Sequence, residues 1–524
     1  MVRLLYLVFF LLSCSSKERQ VWREYRALLE SGSYPQAQII LEKSFKKAHE
    51  KEKLHYLMEL ASLAYFQQDY TKSSTLFSEA IEYVDQLYTK SVSEKVGKYF
   101  ISESSEKFLG AAYERSWLYY FAAMSYLKLH NQREKKSDNT NLFKARALML
   151  GWDSFFQEHQ RTNENKTIYQ HDLVAKILAA HVHELTGIAA DRQISKQLYK
   201  DALDLLNSWG GGFSLFNQNH SEYLEKVKKA VYDGKAPSKL TFTPTENFIE
   251  LKKVLDSKIA SITKNKLSFE HVVFLEEGFI PEKKAEVIPV GLKGLASLIK
   301  DPTTKKIMVE VGADIITYFA MEKLGLIPHN VASANRFFLA RDITEITVKE
   351  AAIEMEVPKL SSFSPLESFN LELKDEANTV TKVPLITLTD LADQAQLVMD
   401  EEASLRFLRT GVRIGIKYIT AIVSAMAVYR SLNDNKVEGD NFIAKAAAMG
   451  TFLAATKILK DHADIRAWSS LPRSVRIGFL DLGNKSYDLS ISNLNNSQNQ
   501  TVAKKLGQVS KTFSSGISSY HFAH

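Results

Sequence analysis

The sequence predicts a mainly α chain with an α+β C-terminal half. The expected order is an N-terminal α-solenoid, a mixed α/β region, an apolar helical hairpin and a small terminal β unit. Three observations predict it. From Val21 to about Leu206, proline is scarce and apolar residues recur at helical spacing. After about residue 265, short β-rich runs bounded by Gly and Pro alternate with helical stretches. Between the two halves lie Gly210-Gly211-Gly212 and the stretch Pro237 to Pro244, which read as breaks. The boundary is therefore placed near residue 235, with residues 21–235 as the helical domain and 236–265 as a linker.

The helical half repeats itself. Ala37, Leu41 and Ser44 stand at small, large and small positions, and Ser73, Phe77 and Ala80 stand at the same offsets 36 residues later (Ala37 to Ser73). Leu57, Leu60, Ala61 and Ala64 occupy first-helix positions ahead of Ser73, and Ser195, Tyr199 and Ala202 form a weaker third copy. Small residues let two helices of a unit approach and large ones fill the gap. The spacing is close to the ~34 residues of the tetratricopeptide repeat, and the units resemble degenerate members of that family. Between the copies, Ala111 to Leu127 is a strongly apolar, aromatic helix that reads as core. Asn131 to Asn141 reads as a loop, and Phe143 to Phe156 as the next helix.

In the 266–403 region, strands are expected at 272–275, 285–290, 350–357, 369–373 and 383–388, with helices at about 313–324 and 391–398. Residues 404–462 carry two apolar helices. Lys417 and Lys445 interrupt them, so each apolar run is shorter than the ~20 residues needed to span a bilayer. They read as a buried hairpin. Residues 463–524 are expected to hold a polar motif followed by an antiparallel unit with strands near 487–491, 504–509 and 517–522.

Composition narrows the function classes. The chain has 524 residues, 45% hydrophobic and 11% aromatic, which suits two to four packed domains and argues against disorder. A net charge of +6 at this length makes no case for nucleic-acid binding. A single cysteine excludes a disulfide framework, a redox Cys pair and a cysteine-based metal site. That cysteine follows Met1-Val-Arg3, an apolar run from Leu4 to Leu12, and Ser13. This is the pattern of an export signal. Leu11-Leu12-Ser13-Cys14 resembles a bacterial lipobox, which implies cleavage after residue 13, a diacylglycerol thioether on Cys14 and a tether over residues 14–20. Ser15 stands where Asp would retain a lipoprotein in the inner membrane, so the outer membrane, facing the periplasm, is favoured.

Taken in order, the acylated N-terminus, the repeat helices, Glu276-Glu-Gly-Phe-Ile-Pro-Glu-Lys-Lys284, a helix bearing Arg409, Arg413 and Lys417, and Ala463-Asp464-x-Arg466-x-Trp468-x-x-Leu471-Pro472 are similar to an uncharacterised family of bacterial lipoproteins. The resemblance implies envelope localisation and no specific activity. Within its last motif, Asp464 and Arg466 are expected to pair and close a helix end, Trp468 to dock into the core, and Leu471-Pro472 to stop the chain from continuing as a helix. Trp and Arg are also the residue types enriched at binding hot spots, so a recognition surface is the alternative.

No phosphate loop, dinucleotide fingerprint, nucleophile elbow, HExxH or calcium loop occurs. Ser104-x-x-Lys107 and Ser137-Asp138-Asn139 imitate two penicillin-binding motifs, but the third is absent. His181 and His183 are two apart and point to different helix faces. No cofactor or metal is expected. The leading expectation is a non-enzymatic envelope lipoprotein that binds a protein or peptide on the face of its helical repeats. The alternative is an envelope enzyme acting on peptidoglycan or lipid, with carboxylates such as Glu276, Glu277 and Glu354.

Overall fold

A computed structural model describes residues 21–45, 50–91, 107–133, 138–163, 167, 169–232, 241–264, 271–290, 353–363, 366–401, 463–482, 486–493, 504–510 and 516–522, with isolated positions at 428, 447, 450 and 451. Cys14, Ser104, Ser137, the expected helix at 313–324 and nearly all of the 404–462 hairpin lie outside these residues.

The helical part runs α1 (21–30), α2 (Tyr34–Phe45), α3 (Lys53–Phe66), α4 (Tyr70–Ser91), α5 (Ala112–Asn131), α6 (Thr140–Thr162), α7 (Leu173–Leu185), α8 (Ala189–Trp209), α9 (His220–Tyr232) and α10 (Glu246–Thr263). The first pairs share one turn. After α1, Gly32 takes φ +70° while the Ser33 N–H returns to the Leu28 carbonyl at 2.8 Å. After α3, Gln68 takes φ +64° while the Asp69 N–H returns to the Ala64 carbonyl at 2.9 Å. Both are Schellman closures, which require a left-handed residue at that point. The stripe Ser73, Phe77 and Ala80 is wholly buried on α4, as are Ser195, Tyr199 and Ala202 on α8.

Strands β1 (His271–Glu277), β2 (Lys283–Val290), β3 (Ile353–Leu360), β4 (Phe369–Asp375), β5 (Val380–Pro384), β6 (Ile386–Asp390), β7 (Ser474–Leu480), β8 (Ser486–Asn493), β9 (Lys504–Ser510) and β10 (Gly516–Phe522) follow, with a helix, α11, at 391–401 between β6 and β7. They form a central sheet in the order β10-β1-β7-β6, a second sheet β5-β4-β8-β9, and the separate ladder β2-β3. β1 pairs in parallel with β10 and antiparallel with β7.

The central sheet is covered on both faces. Val272, Phe274, Val475 and Ile477 join the core made with the helices, while Val273, Leu275 and Leu480 join Leu371, Leu373, Leu489 and Ile491 of the second sheet. That two-sided burial is why β1, β6 and β7 are buried at every position, whereas β4, covered on one face, alternates. Gly478 of β7 marks the close approach of the two sheets: a Cβ there would lie 3.2 Å from Leu385 Cδ2.

Several expectations change. The expected linker 236–265 contains α10, whose Phe248, Leu251, Leu255 and Ile262 lie in the same core as the sheet. Its Asn247 also holds the sheet edge: Nδ2 donates to the Thr387 carbonyl at 2.8 Å, and Oδ1 accepts the Thr387 N–H at 2.9 Å. Thr387 sits at the β-bulge of β6, where the ladder to β7 slips. Gly210–Gly212 form one 3-10 turn and do not end the helical array: α9 follows, where Tyr223 to Val231 reads as one more helix, and then α10, which the sequence did not suggest. One core joins the helices to the central sheet, so residue 235 does not separate two cores. The terminal β unit is not separate either. β7 and β10 complete the central sheet, and β8 and β9 complete the second. The expected strand 383–388 breaks at Leu385 into strands of two different sheets.

Candidate functional site

The segment 463–473 lies along the inner side of α3 and α5. Arg466 grips Asp464 bidentately, Nε to Oδ1 at 2.8 Å and Nη2 to Oδ2 at 2.7 Å, as a planar guanidinium does with a carboxylate. Its third donor, Nη1, reaches Glu52 Oε1 at 2.8 Å, immediately before α3. The expected pair is present. The pair fixes residues 463–468, which are irregular backbone, to the start of α3, and the helix end it was expected to close lies outside the described residues.

Trp468 is fully buried, with its ring 5.6 Å from Phe121 and 5.8 Å from Phe77. Its indole N–H meets Ser62 and Ser470 hydroxyls, each at 2.9 Å. Two buried carboxylates take the backbone donors around it. Glu114 accepts the Trp468 N–H at 2.8 Å and the Ala111 N–H at 2.6 Å. Glu59 accepts the Ser469 N–H at 2.5 Å, the Ser470 N–H at 3.2 Å and the Tyr25 hydroxyl at 2.9 Å. His55 Nε2 meets the Ala467 carbonyl at 2.8 Å, and Arg26 donates to the Ser469 carbonyl at 2.9 Å. Leu471 and Pro472 are buried.

This is how a helical groove holds an extended peptide: acceptors and donors for its backbone, and an aromatic pocket for one anchor side chain. Here the peptide belongs to the chain itself. The segment also meets the other specific motif. The Ile280 N–H donates to the Leu471 carbonyl at 2.8 Å, and the Arg473 N–H to the Glu277 carbonyl at 3.0 Å.

The candidate carboxylates of the mixed region do not converge. Neighbouring strand residues face opposite ways, so Glu276 points to the helices and Glu277 to the second sheet. Glu276 is fully buried; its Oε1 accepts from the Tyr65 and Tyr120 hydroxyls at 2.9 and 3.0 Å, and its Oε2 has no hydrogen-bond partner. Burial pushes its pKa up to about 7, against the pull of the Lys128 charge and the two phenols. Burial lowers Lys128 to about 8, and Glu276 opposes that shift. Lys128 is held by the Ser519 carbonyl of β10. Glu277 accepts from the Ser474 hydroxyl at 2.7 Å and from Arg476 Nε at 2.8 Å, while Arg476 Nη1 donates to Thr387 Oγ1 at 2.8 Å. The side chain of Glu354 lies outside the described residues.

His181 and His183 are both buried and spoken for: His181 Nδ1 is 3.0 Å from Glu184 Oε2, and His183 Nδ1 is 3.1 Å from Asp191 Oδ1. Lys258 of α10 joins the first of these at 2.8 Å. Among the described residues, no group of three or more His, Cys, Asp or Glu side chains is arranged to hold a metal ion. No described helix is long and apolar enough to cross a membrane.

A narrow apolar cavity of about 50 Å³ lies between α8, α9 and α11, lined by Leu206, Phe213, Phe216, Val227, Leu388 and Leu397. Asp390 and Gln394 stand at its polar end. Burial and the neighbouring Asp393 raise Asp390 to about 6, against the Arg473 guanidinium whose Nη2 lies 3.3 Å away.

No protein family, curated protein or solved structure matches the chain.

Sequence reasoning located the 463–472 motif and the pairing inside it. It missed Glu59 and Glu114, the groups that receive the motif's backbone. Their helical positions look like core, and a charged residue there was the one signal available.

Proposed function

We propose that the chain is a lipid-anchored cell-envelope lipoprotein that acts as a protein-interaction or scaffold module. The observation that carries this reading is the place of Cys14. The chain's single cysteine follows an apolar run from Leu4 to Leu12 and stands seven residues before the first described helix at residue 21. Acyl chains there add about 0.8 kcal/mol per buried CH₂, enough for stable anchoring when two or three are present. The lipobox-like run Leu11-Leu12-Ser13-Cys14 points the same way.

The helical array is read as degenerate tetratricopeptide units. The repeated left-handed turns at Gly32 and Gln68 and the buried stripes on α4 and α8 support this reading. The α3–α5 face already holds residues 467–471, so a protein partner has to use another surface. Phe143 and Leu150, seven residues apart on α6, are 44% and 60% exposed and supply apolar contact area. The enzyme reading receives no comparable support, because Glu276 and Glu277 line neither the apolar cavity nor the cleft described below.

Detergent phase partitioning of the full chain and its Cys14→Ser form tests the anchor. The wild type is expected in the detergent phase and the variant in the aqueous phase. A variant that stays with detergent overturns the reading.

A further inference from the structure

The structure assigns a binding site for a zwitterionic phospholipid headgroup, an aminoalkyl phosphodiester, to an open cleft between α1, the turn after β1 and the segment after β3. The cleft measures about 440 Å³, within the 300–1,000 Å³ typical of small-molecule sites. It shares no residue with the apolar cavity.

Its charges are mixed. Arg23, Arg26 and Arg473 line it, as do Glu30 and Glu282. Arg26 is committed: it donates to Glu30 Oε1 at 2.7 Å and lies over the Phe279 ring at 5.3 Å. Arg23 is exposed and makes no ion pair among the described residues. Arg473 lies over the Phe363 ring at 4.7 Å and reaches Asp390 through Nη2, which holds its guanidinium charge in place at the cleft wall. Ser361 and Ser362 also line the cleft.

A simple anion would also meet two carboxylates, and a simple cation three guanidiniums. A molecule with a phosphate and an ammonium a few ångströms apart suits both, with the phosphate toward Arg23 and Arg473 and the ammonium toward Glu282. Phe363, 42% exposed at the rim, offers an apolar wall for the glycerol and the start of an acyl chain.

The source of that headgroup rests on the anchoring reading above. Arg23 is nine residues after Cys14, so an extended tether spans at most about 32 Å. An acylated Cys14 therefore holds the cleft near a bilayer surface and raises the local headgroup concentration.

The test is calorimetric titration of the full chain in neutral maltoside micelles with soluble glycerophosphoethanolamine, beside glycerophosphate and inorganic phosphate. One saturable site for glycerophosphoethanolamine is expected, weakened at least tenfold by Arg23→Glu and several-fold by Phe363→Ala. Both positions are exposed, so unchanged thermal melts should show that the variants are folded. No saturable binding, or no effect of Arg23→Glu, overturns the site. Glycerophosphate or phosphate binding as tightly as glycerophosphoethanolamine overturns the headgroup assignment in favour of a free anion. Acylation of Cys14 is read on the same sample by intact mass, so a failed anchor and a failed site are told apart.

Discussion

The Trp468 backbone N–H donates to the Glu114 carboxylate at 2.8 Å, across 354 residues of sequence. This bond ties the C-terminal motif into the centre of the helical array, and Glu59 of α3 repeats the arrangement at Ser469 and Ser470. Helices and sheets are therefore expected to unfold together around Trp468. Trp468→Ala removes a fully buried ring and should cost about 3–5 kcal/mol. Urea unfolding followed by far-UV circular dichroism should show one shifted transition. A helical transition left at its wild-type midpoint would show that the segment is only laid on the surface.

Asn247 places both amide groups on the backbone of Thr387, at the bulged edge of the central sheet. Asn247→Ala orphans one donor and one acceptor beside that edge. Each should cost about 1–3 kcal/mol where water cannot replace it. Hydrogen exchange at the Thr387 amide should accelerate more than at Phe274 in the sheet centre. Equal protection in variant and wild type would mean that the amide pair is dispensable.

The Glu277–Arg476 pair is buried on both sides. Arg476→Ala strands a carboxylate between two sheets and should cost about 3–5 kcal/mol. Replacing both, as Glu277→Leu with Arg476→Met, removes the charges together and should cost markedly less. A double variant that costs as much as Glu277→Leu and Arg476→Met added together would show that the two residues contribute independently, which denaturant midpoints for wild type, these two single variants and the double variant would reveal.

Glu276 gives a pH signature. Its pKa is raised from 4.5 to about 7 by burial, so the folded protein holds this proton more tightly than the unfolded chain does. The associated stability is present below pH 4.5 and is lost as pH rises through 7. Lys128, lowered to about 8, stays charged over most of that window. Glu276→Gln removes the titration, so the variant should gain stability relative to wild type between pH 5 and 7.5. Parallel melting curves across that range would contradict the assignment.

What was legible in the sequence was local. The stripe Ser73, Phe77 and Ala80 follows helical period, and nearly every described β-rich run became a strand because each carries its own pattern. The Asp464–Arg466 pair is two residues apart and could be read directly. Pairing across distance could not: nothing in His271–Glu277 names β7 and β10 as neighbours, since a run buried on both faces has no alternation from which to infer register. α10 was missed because Pro237 and Pro244, on its approach, masked the Thr245 cap, whose hydroxyl accepts the Phe248 N–H at 3.3 Å. The cleft was invisible for the same reason as the acceptors of the motif: Arg23, Arg26 and Arg473 come from opposite ends of the chain.

The proposed function turns on the chemistry of one atom, the Cys14 sulfur. Mass spectrometry of the N-terminal peptide of the full chain, produced in a bacterial host that processes lipoproteins, reads it directly. The account predicts a mature chain beginning at Cys14 and carrying diacylglycerol on sulfur. A chain that keeps residues 1–13, or one cut elsewhere with a free Cys14 thiol, would contradict it.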